Sequence, residues 1–577
     1  MAKALLACFR NRGAPSFTDF ARALCARLAL GTVAAAAPWI READGVGACV
    51  FNPAGNVWRG ATGIRLGVTE GVSAGVLEPG APAPAGTFAL FRAAPADIEL
   101  VADTTASRTI WYVYTPAVFA ASSSQRMLVS LLGDFIRDAR PVRWMLAAGV
   151  LGPGLSWDAR LRAVPPGGRV RLHRPSWTLT THDGPTLEFA PAPGARAEHR
   201  ARLAAAVERA VQQADLSAVS CVLALSGGMD SRSLLHHLRR LPGLRTVTWG
   251  LGAAREQMGS DAAIAAFLAQ SCGLPHQFAA TDVAPGSFPR TFQRFVAAGE
   301  GRIDHLSGYM DGLALWARLA ADYACVIRGY DAFGWKPRVA SEQQARRVNG
   351  MVMTADGPDL LVPSGMALTE RDIPATLRRR RGESLLGWRD RLWLEYRTPV
   401  VTAALDDVKT AYVEIANPLL SREVVDVVRA LPEELRTEKA LFREIVTPMF
   451  PGVPFARSTA TEPLDGLLAR DDIAAALVRI LADGRGTGVL PDEFLSSVVA
   501  AASRPAPAPT PGDRLVRMLR PRLPAAVKDP LRPWLLRRPT PPRRLALRAA
   551  ICIAVDRLLR ADASAGAASA LTATRHP

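Results

Sequence analysis

Residues 226–231, Ser-Gly-Gly-Met-Asp-Ser, are the part of this chain best suited to chemistry on an anion. Gly227 and Gly228 let the backbone approach a phosphate closely. Free amides at the start of a following helix favour negative charge, and Ser226 and Ser231 add hydroxyl donors. Asp230 is an odd neighbour for a bare anion, but it makes sense if a divalent cation bridges it to phosphate oxygens. The stretch has no lysine, so it is not the GxxxxGK[ST] loop, and it is not GxGxxG either. An SGG turn is also an ordinary strand–helix connection, so these six residues alone leave a structural turn and a nucleotide cradle both open.

The elements around the loop favour the cradle. VSCVLAL before it reads as a short buried strand and SRSLLHHLRRL after it as a helix. The alternation continues with LRTVTWG (strand), SDAAIAAFLAQSCGL (helix), HQFAATD (strand), MDGLALWARLA (helix) and ACVIRG (strand). Such alternation predicts a parallel sheet in an α/β domain. Residues 366–500 read as mainly helical. Residues 1–170 instead alternate short apolar runs with Gly/Pro turns, as in GVGACVF, TFALFRA and DIELVAD, with helices over LVSLLGDFIRD and WMLAAGVL and a closing hairpin at 169–184. The expected division is a mostly β domain over 1–184, a linker over 185–198, an α/β domain with a helical C-terminal part over 199–500, and a tail over 501–577.

Composition narrows the function classes. The net charge is +17, but residues 501–577 hold 15 Arg/Lys against 4 Asp/Glu, which is 11 of the 17. The basicity therefore belongs to the tail, is not interleaved with aromatics, and does not predict nucleic-acid binding. Leucines mixed with arginines in RLVRMLRPRL, WLLRRPTPPRR and LALRAAICIAVDRLLR could form basic amphipathic helices that touch anionic lipid or a partner, or that pack back onto the protein. The seven cysteines are scattered with no CxxC, which predicts neither a zinc site nor a disulfide framework and suits a reduced, cytoplasmic setting. There is no uninterrupted apolar run of 18 residues and no clear signal peptide.

SGGMDS resembles the SGGxDS pyrophosphate loop of the asparagine synthetase-like ligases, within the wider group of ATP pyrophosphatases. Other stretches are similar in the same order. GSDAAIAAFLAQSCGLPH resembles the segment opened by Ser260, Asp261 and Ala262. VIRGYDAFG resembles the second acidic loop, EIANPLLSREVVDVVRALPEEL the segment after it, and LVADTTASRTIWY and LRAVPPGGRVRL pieces of an amidotransferase-like domain. The resemblance covers roughly residues 1–460. It implies a class II glutamine amidotransferase-like first domain, an Ntn-type α-β-β-α sandwich, followed by an adenine-nucleotide α-hydrolase-like synthetase domain. It also implies ATP and Mg²⁺ as cofactors. Ser226, Gly227, Gly228, Asp230 and Ser231 would hold pyrophosphate, Trp249 and Gly250 would end the strand beside adenine, Gly329 would belong to the second loop, and Asp230 and Asp331 would hold the metal.

The departures from that pattern matter as much. Glutamine-dependent members carry a cysteine directly after the initiator; here Ala2 stands there, which implies that glutamine supplies no ammonia. In the second loop Arg328 replaces the usual glutamate. For the lysine that stabilises the transition state, Arg457, Lys439 and Arg443 are all candidates. Tyr330 lies near the position of the tyrosine base of β-lactam-forming relatives, and Glu395 could orient it or act itself; a tyrosine packing under the nucleotide is the alternative. Asp304, His305 and Asp311 could line an acceptor pocket. The resemblance implies a ligase that adenylates a carboxylate, releases pyrophosphate and couples the acyl group to an amine. Closure of a lasso-type macrolactam is the expected reaction, with a precursor peptide and a leader peptidase as partners. Amidation of aspartate, a small metabolite or an envelope sugar is the alternative.

Overall fold

Along the strand Lys3–Phe9, Leu5 and Ala7 face one way and Ala4, Leu6 and Cys8 the other, and both rows are buried. A strand buried on both faces must lie between two layers. The computed structural model describes residues 3–10, 16–29, 37–52, 57–60, 63–71, 75–214, 216, 220–284, 286–329, 337–356, 361–504 and 541–568. In it, Lys3–Phe9 is an inner strand of one six-stranded antiparallel sheet that stacks on a second. Ala4, Leu6 and Tyr112 of the first sheet meet Ile64, Phe91 and Leu100 of the second. Helices Phe17–Leu28, Gln125–Leu132 and Arg140–Ala148 cover the other face of the first sheet.

The described residues before 185 place no helix on the outer face of the second sheet. Val76 and Leu77 of a loop cover it, against Phe88, Leu90 and Val101. The fourth, helical layer implied by the resemblance is thus not built by this region. The helix expected over LVSLLGDFIRD also stops early, at Leu132, because Gly133 takes a left-handed φ of 68° and closes the last turn. The hairpin forms as read, pairing Arg169–His173 with Thr178–His182.

The second region is a five-stranded, all-parallel sheet. Its order is His276–Ala280, Arg245–Gly250, Cys221–Ala224, Cys325–Ile327, Glu414–Ala416. In chain order this reads 3-2-1-4-5. Connections from the first strand run one way across the sheet, and those to the fourth strand the other. The loops leaving Cys221–Ala224 and Cys325–Ile327 therefore diverge and leave a crevice at the strand ends, where ligands bind in such sheets.

At the end of the chain the alternative that packs back onto the protein is the one found. Pro542–Ala568 forms one 27-residue helix inside the core, not a surface extension. Leu545, Leu547, Ile551, Ile553, Val555 and Leu559 are buried, packed among Gln125–Leu132 and Arg140–Ala148 on one side and Phe288–Gly299, Asp471–Ala482 and Asp492–Ala502 on the other. Its arginines are spent internally: Arg544 on Asp465 at 2.7 Å, Arg543 on the Ala469 carbonyl at 2.6 Å and Arg548 on Asp304 at 2.7 Å. The rest of the Pro/Arg-rich stretch, 505–540, lies outside the described residues, and with it the expected contact to lipid or a peptidase. No described helix is long and apolar enough to cross a membrane.

Asp304 is the buried anchor of this helix. Burial alone would raise its carboxyl, but the Arg548 guanidinium and the His305 ring, 3.0 Å away, outweigh that and hold it below the usual carboxylate range. A pKa lowered in the folded state stabilises above the unfolded value of about 3.9 and loses that stabilisation as pH falls through the folded value. Asp304→Asn should cost about 3–5 kcal/mol at neutral pH by stranding a buried arginine. The gap to wild type should narrow as pH drops below about 4, as urea unfolding across pH will read. Asp304 and His305 therefore serve packing. Asp311 does too, accepting from the N–H groups of Leu313 and Leu315. The expectation that these three line an acceptor pocket is not met.

Candidate active site at the strand switch point

The strand Cys221–Ala224 runs into Leu225–Gly228, and the helix Met229–Leu238 starts directly after. Its first turn has no side-chain cap, whereas Ser260, Ser384 and Ser421 cap other helices of this region. The uncapped amides at residues 229–231 suit an anion. The loop is held from within. The Ser226 N–H donates to Ser231 Oγ at 3.1 Å, the Gly228 N–H to Ser226 Oγ at 3.2 Å, and the Gly227 N–H to Asp261 Oδ1 at 3.2 Å. Burial pushes the Asp261 carboxyl up.

Neighbouring chain leaves no room for larger side chains here. A Cβ on Gly227 would sit 2.5 Å from Ala456 Cβ, and one on Gly329 would sit 2.7–2.9 Å from Asp230 and the Ser231 nitrogen. The segment Phe455–Thr461 closes the site from above. Ala456 donates to the Gly227 carbonyl at 3.1 Å, Arg457 to that of Gly259 at 2.8 Å, and Leu251 to that of Ala460 at 2.8 Å. That last contact puts the Ala460 carbonyl 2.3 Å from where a Gly250 Cβ would be.

Two cavities meet at Gly228, Asp230 and Asp261. One, of about 290 Å³, lies over the strand ends and is lined by Ser226, Ser231, Trp249, Arg328 and Gly329. The other, of about 590 Å³, is lined by Gly227, Lys439, Arg443 and Arg457. Lys439 Nζ grips both oxygens of Asp230, at 2.6 and 2.8 Å. Lys439 is buried, whereas Arg443 and Arg457 stand exposed at the rim. Glu438 and Lys439 both have left-handed backbones, φ 54° and 56°, at the start of Ala440–Val446. Two such residues in succession cost about 1–3 kcal/mol each, and the kink aims the lysine at Asp230.

Trp249 stands edge-on to Trp316, ring centroids 5.4 Å apart, and still presents surface to the smaller cavity. Arg328 also reaches this cavity, which the sequence reading had not counted as a site residue. It follows the fourth strand, its guanidinium 6.0 Å from the Trp249 ring and 3.5 Å from the buried Asp406. One position past a strand has no periodicity to mark it; only the sheet order puts it opposite the loop.

Tyr330 and Asp331 lie outside the described residues. Glu395 is elsewhere: it is tied to Arg391 at 2.8 Å and Arg380 at 3.5 Å, and it lines a cavity between the two regions of the chain. It is absent from the lining of both cavities at the loop.

Residues 200–311 match the asparagine synthase family model. The match links that stretch to the asparagine-synthetase-like ATP ligases. It spans the loop, Trp249, Gly250 and Asp261, and it ends before Gly329, Glu395, Lys439 and Arg457. No curated protein matches the chain.

Among the described residues no three His, Cys, Asp or Glu side chains gather as a metal cage. Magnesium bound with a nucleotide needs only one or two carboxylates beside phosphate oxygens and water. Asp230 fits that role: it faces both cavities and already carries a cation, the Lys439 ammonium.

Proposed function

We propose that the protein is an ATP-dependent ligase that adenylates a carboxylate with release of pyrophosphate and passes the acyl group to an amine. The observation that carries this reading is the pairing, at the switch point of a parallel sheet, of an uncapped helix N-terminus with the Asp230–Lys439 couple. Magnesium would be held by Asp230, and by Asp331 in the second loop, and would neutralise phosphate charge. The residues themselves do the rest. The start of the helix Met229–Leu238 and the hydroxyls of Ser226 and Ser231 hold the departing pyrophosphate. Lys439, buried beside Asp230, turns its ammonium to the phosphates. Trp249 gives the adenine a ring, and Arg328 offers a cation on the α-phosphate side of the cavity; the backbone of Gly250 is taken up by Thr281 and Ala460. Arg457 stands at the rim of the larger cavity.

The amine in this proposal belongs to the substrate, as in macrolactam closure of a lasso-type peptide supplied by a precursor-processing peptidase. The state of the described thiols in the first region supports this. Cys8 is buried in the sheet with its thiol raised by burial, and Cys25 and Cys49 are buried together. Screening pyrophosphate release tests it. A linear peptide bearing a free N-terminus and an internal Asp or Glu should trigger release and lose one water. Release with aspartate and ammonia instead would assign small-molecule amidation and reject the macrolactam.

A further inference from the structure

The cavity that holds Glu395 is walled by both regions of the chain and encloses about 400 Å³, within the range of ligand sites. Trp111, Leu151 and Pro165 form one wall and Leu377 and Val400 the other. Two observations mark it as built for a ligand. The stretch Trp393–Thr402 is π-helical for ten residues with Pro399 inside it, and this widened turn brings Glu395, Pro399 and Val400 to the cavity. Such segments concentrate at functional sites. Second, the indole N–H of Trp111 and the Nε–H of Arg302 have no acceptor among the described residues, although both side chains are buried, at 2 and 3% exposure. Buried donors are nearly always satisfied. The Arg302 guanidinium lies 5.3 Å from the Trp111 ring and is otherwise engaged by Asp407 and by Thr109 at 2.8 Å.

We propose that this cavity seats the acceptor of the ligase reaction as a short apolar peptide segment whose carbonyl oxygens accept from Trp111 and Arg302. The assignment rests on the ligase reading above. Two separate donors in apolar walls match the repeated carbonyls of a peptide. A sugar would leave hydroxyls unpaired against proline and leucine, and a fatty acyl chain has too few acceptors. The cavity is also tied to the nucleotide site through one helix, Ala403–Thr410. Its Asp406 holds Arg328, and its Asp407 holds Arg302 together with Lys3 of the first strand, 3.0 Å away.

Isothermal titration with N-acetyl-leucyl-leucinamide tests this on the full chain. Wild type should bind it. Thr376→Trp, which fills the mouth from an exposed position, and Trp111→Phe, which keeps the ring and removes the donor, should each weaken binding by about tenfold, the worth of one buried hydrogen bond. Unchanged thermal unfolding will show that Thr376→Trp is folded. No binding by wild type, equal binding by a folded Thr376→Trp, or preference for dodecanoate would overturn the proposal. ATP binding and pyrophosphate release by wild type are read separately. If both occur while the dipeptide result fails, the cavity assignment alone is wrong; if the dipeptide binds and ATP does not, the ligase reading is.

Discussion

Asp230→Asn lowers ATP-dependent pyrophosphate release on the order of 10²–10³-fold, the usual cost of one preorganised electrostatic partner, while the chain stays folded. Asparagine keeps the shape but loses the charge and one of the two acceptor oxygens that Lys439 uses. It can neither hold a divalent cation against phosphate nor neutralise Lys439, which is buried against it at 2.6 Å. Stranding that ammonium costs about 1–3 kcal/mol of stability, a loss a domain can bear. Pairing the change with Lys439→Met separates structure from chemistry. Stability should recover in the double variant, because the buried charge is gone. Pyrophosphate release should not recover, because both charges are needed once nucleotide is bound. Recovery of both would make the pair a structural salt bridge. Arg457→Ala, at the exposed rim, should cost less than either single change.

Deletion of residues 541–577 abolishes folding. The helix Pro542–Ala568 buries Leu545, Leu547, Ile551, Ile553, Val555 and Leu559, and a fully buried aliphatic side chain contributes about 1.5–3 kcal/mol. Their loss matches or exceeds the roughly 5–15 kcal/mol by which a native protein is stable. The Arg126–Asp562 and Arg548–Asp304 pairs go as well. The truncated chain should lose its cooperative thermal transition. Ile551→Ala should keep a transition, lowered by about 2–5 kcal/mol. A surface appendage would behave differently, since its removal would leave the transition where it was.

The loop was legible because its signals are local: a buried strand, glycines at a turn, a hydroxyl and an acid at fixed spacing, then a helix. The alternation around it announced the parallel sheet. Sheet order was not legible, because Cys325–Ile327 and Glu414–Ala416 are three residues each and nothing local says that the fourth strand lies beside the first. That Arg328 faces the loop became visible only with that order. Among Lys439, Arg443 and Arg457 only Lys439 is buried beside Asp230, and that depends on a left-handed kink that no propensity marks. For the last helix the sequence left surface contact and packing back both open, because Arg543, Arg544 and Arg548 read equally as a solvated face; in the fold each meets an acceptor of the protein itself. Glu395 was paired with Tyr330 only through the resemblance; its π-helical setting brings it to another cavity, and Tyr330 lies outside the described residues.

The most direct test is the fate of the α-phosphate. Purified protein is incubated with Mg²⁺, ATP labelled at the α-phosphorus and a peptide carboxylate, and the products are separated. The predicted result is labelled AMP with an equal amount of pyrophosphate, dependent on the carboxylate and lost in Asp230→Asn. Labelled ADP with inorganic phosphate, or AMP formed equally by Asp230→Asn, would contradict the role given to the 226–231 loop.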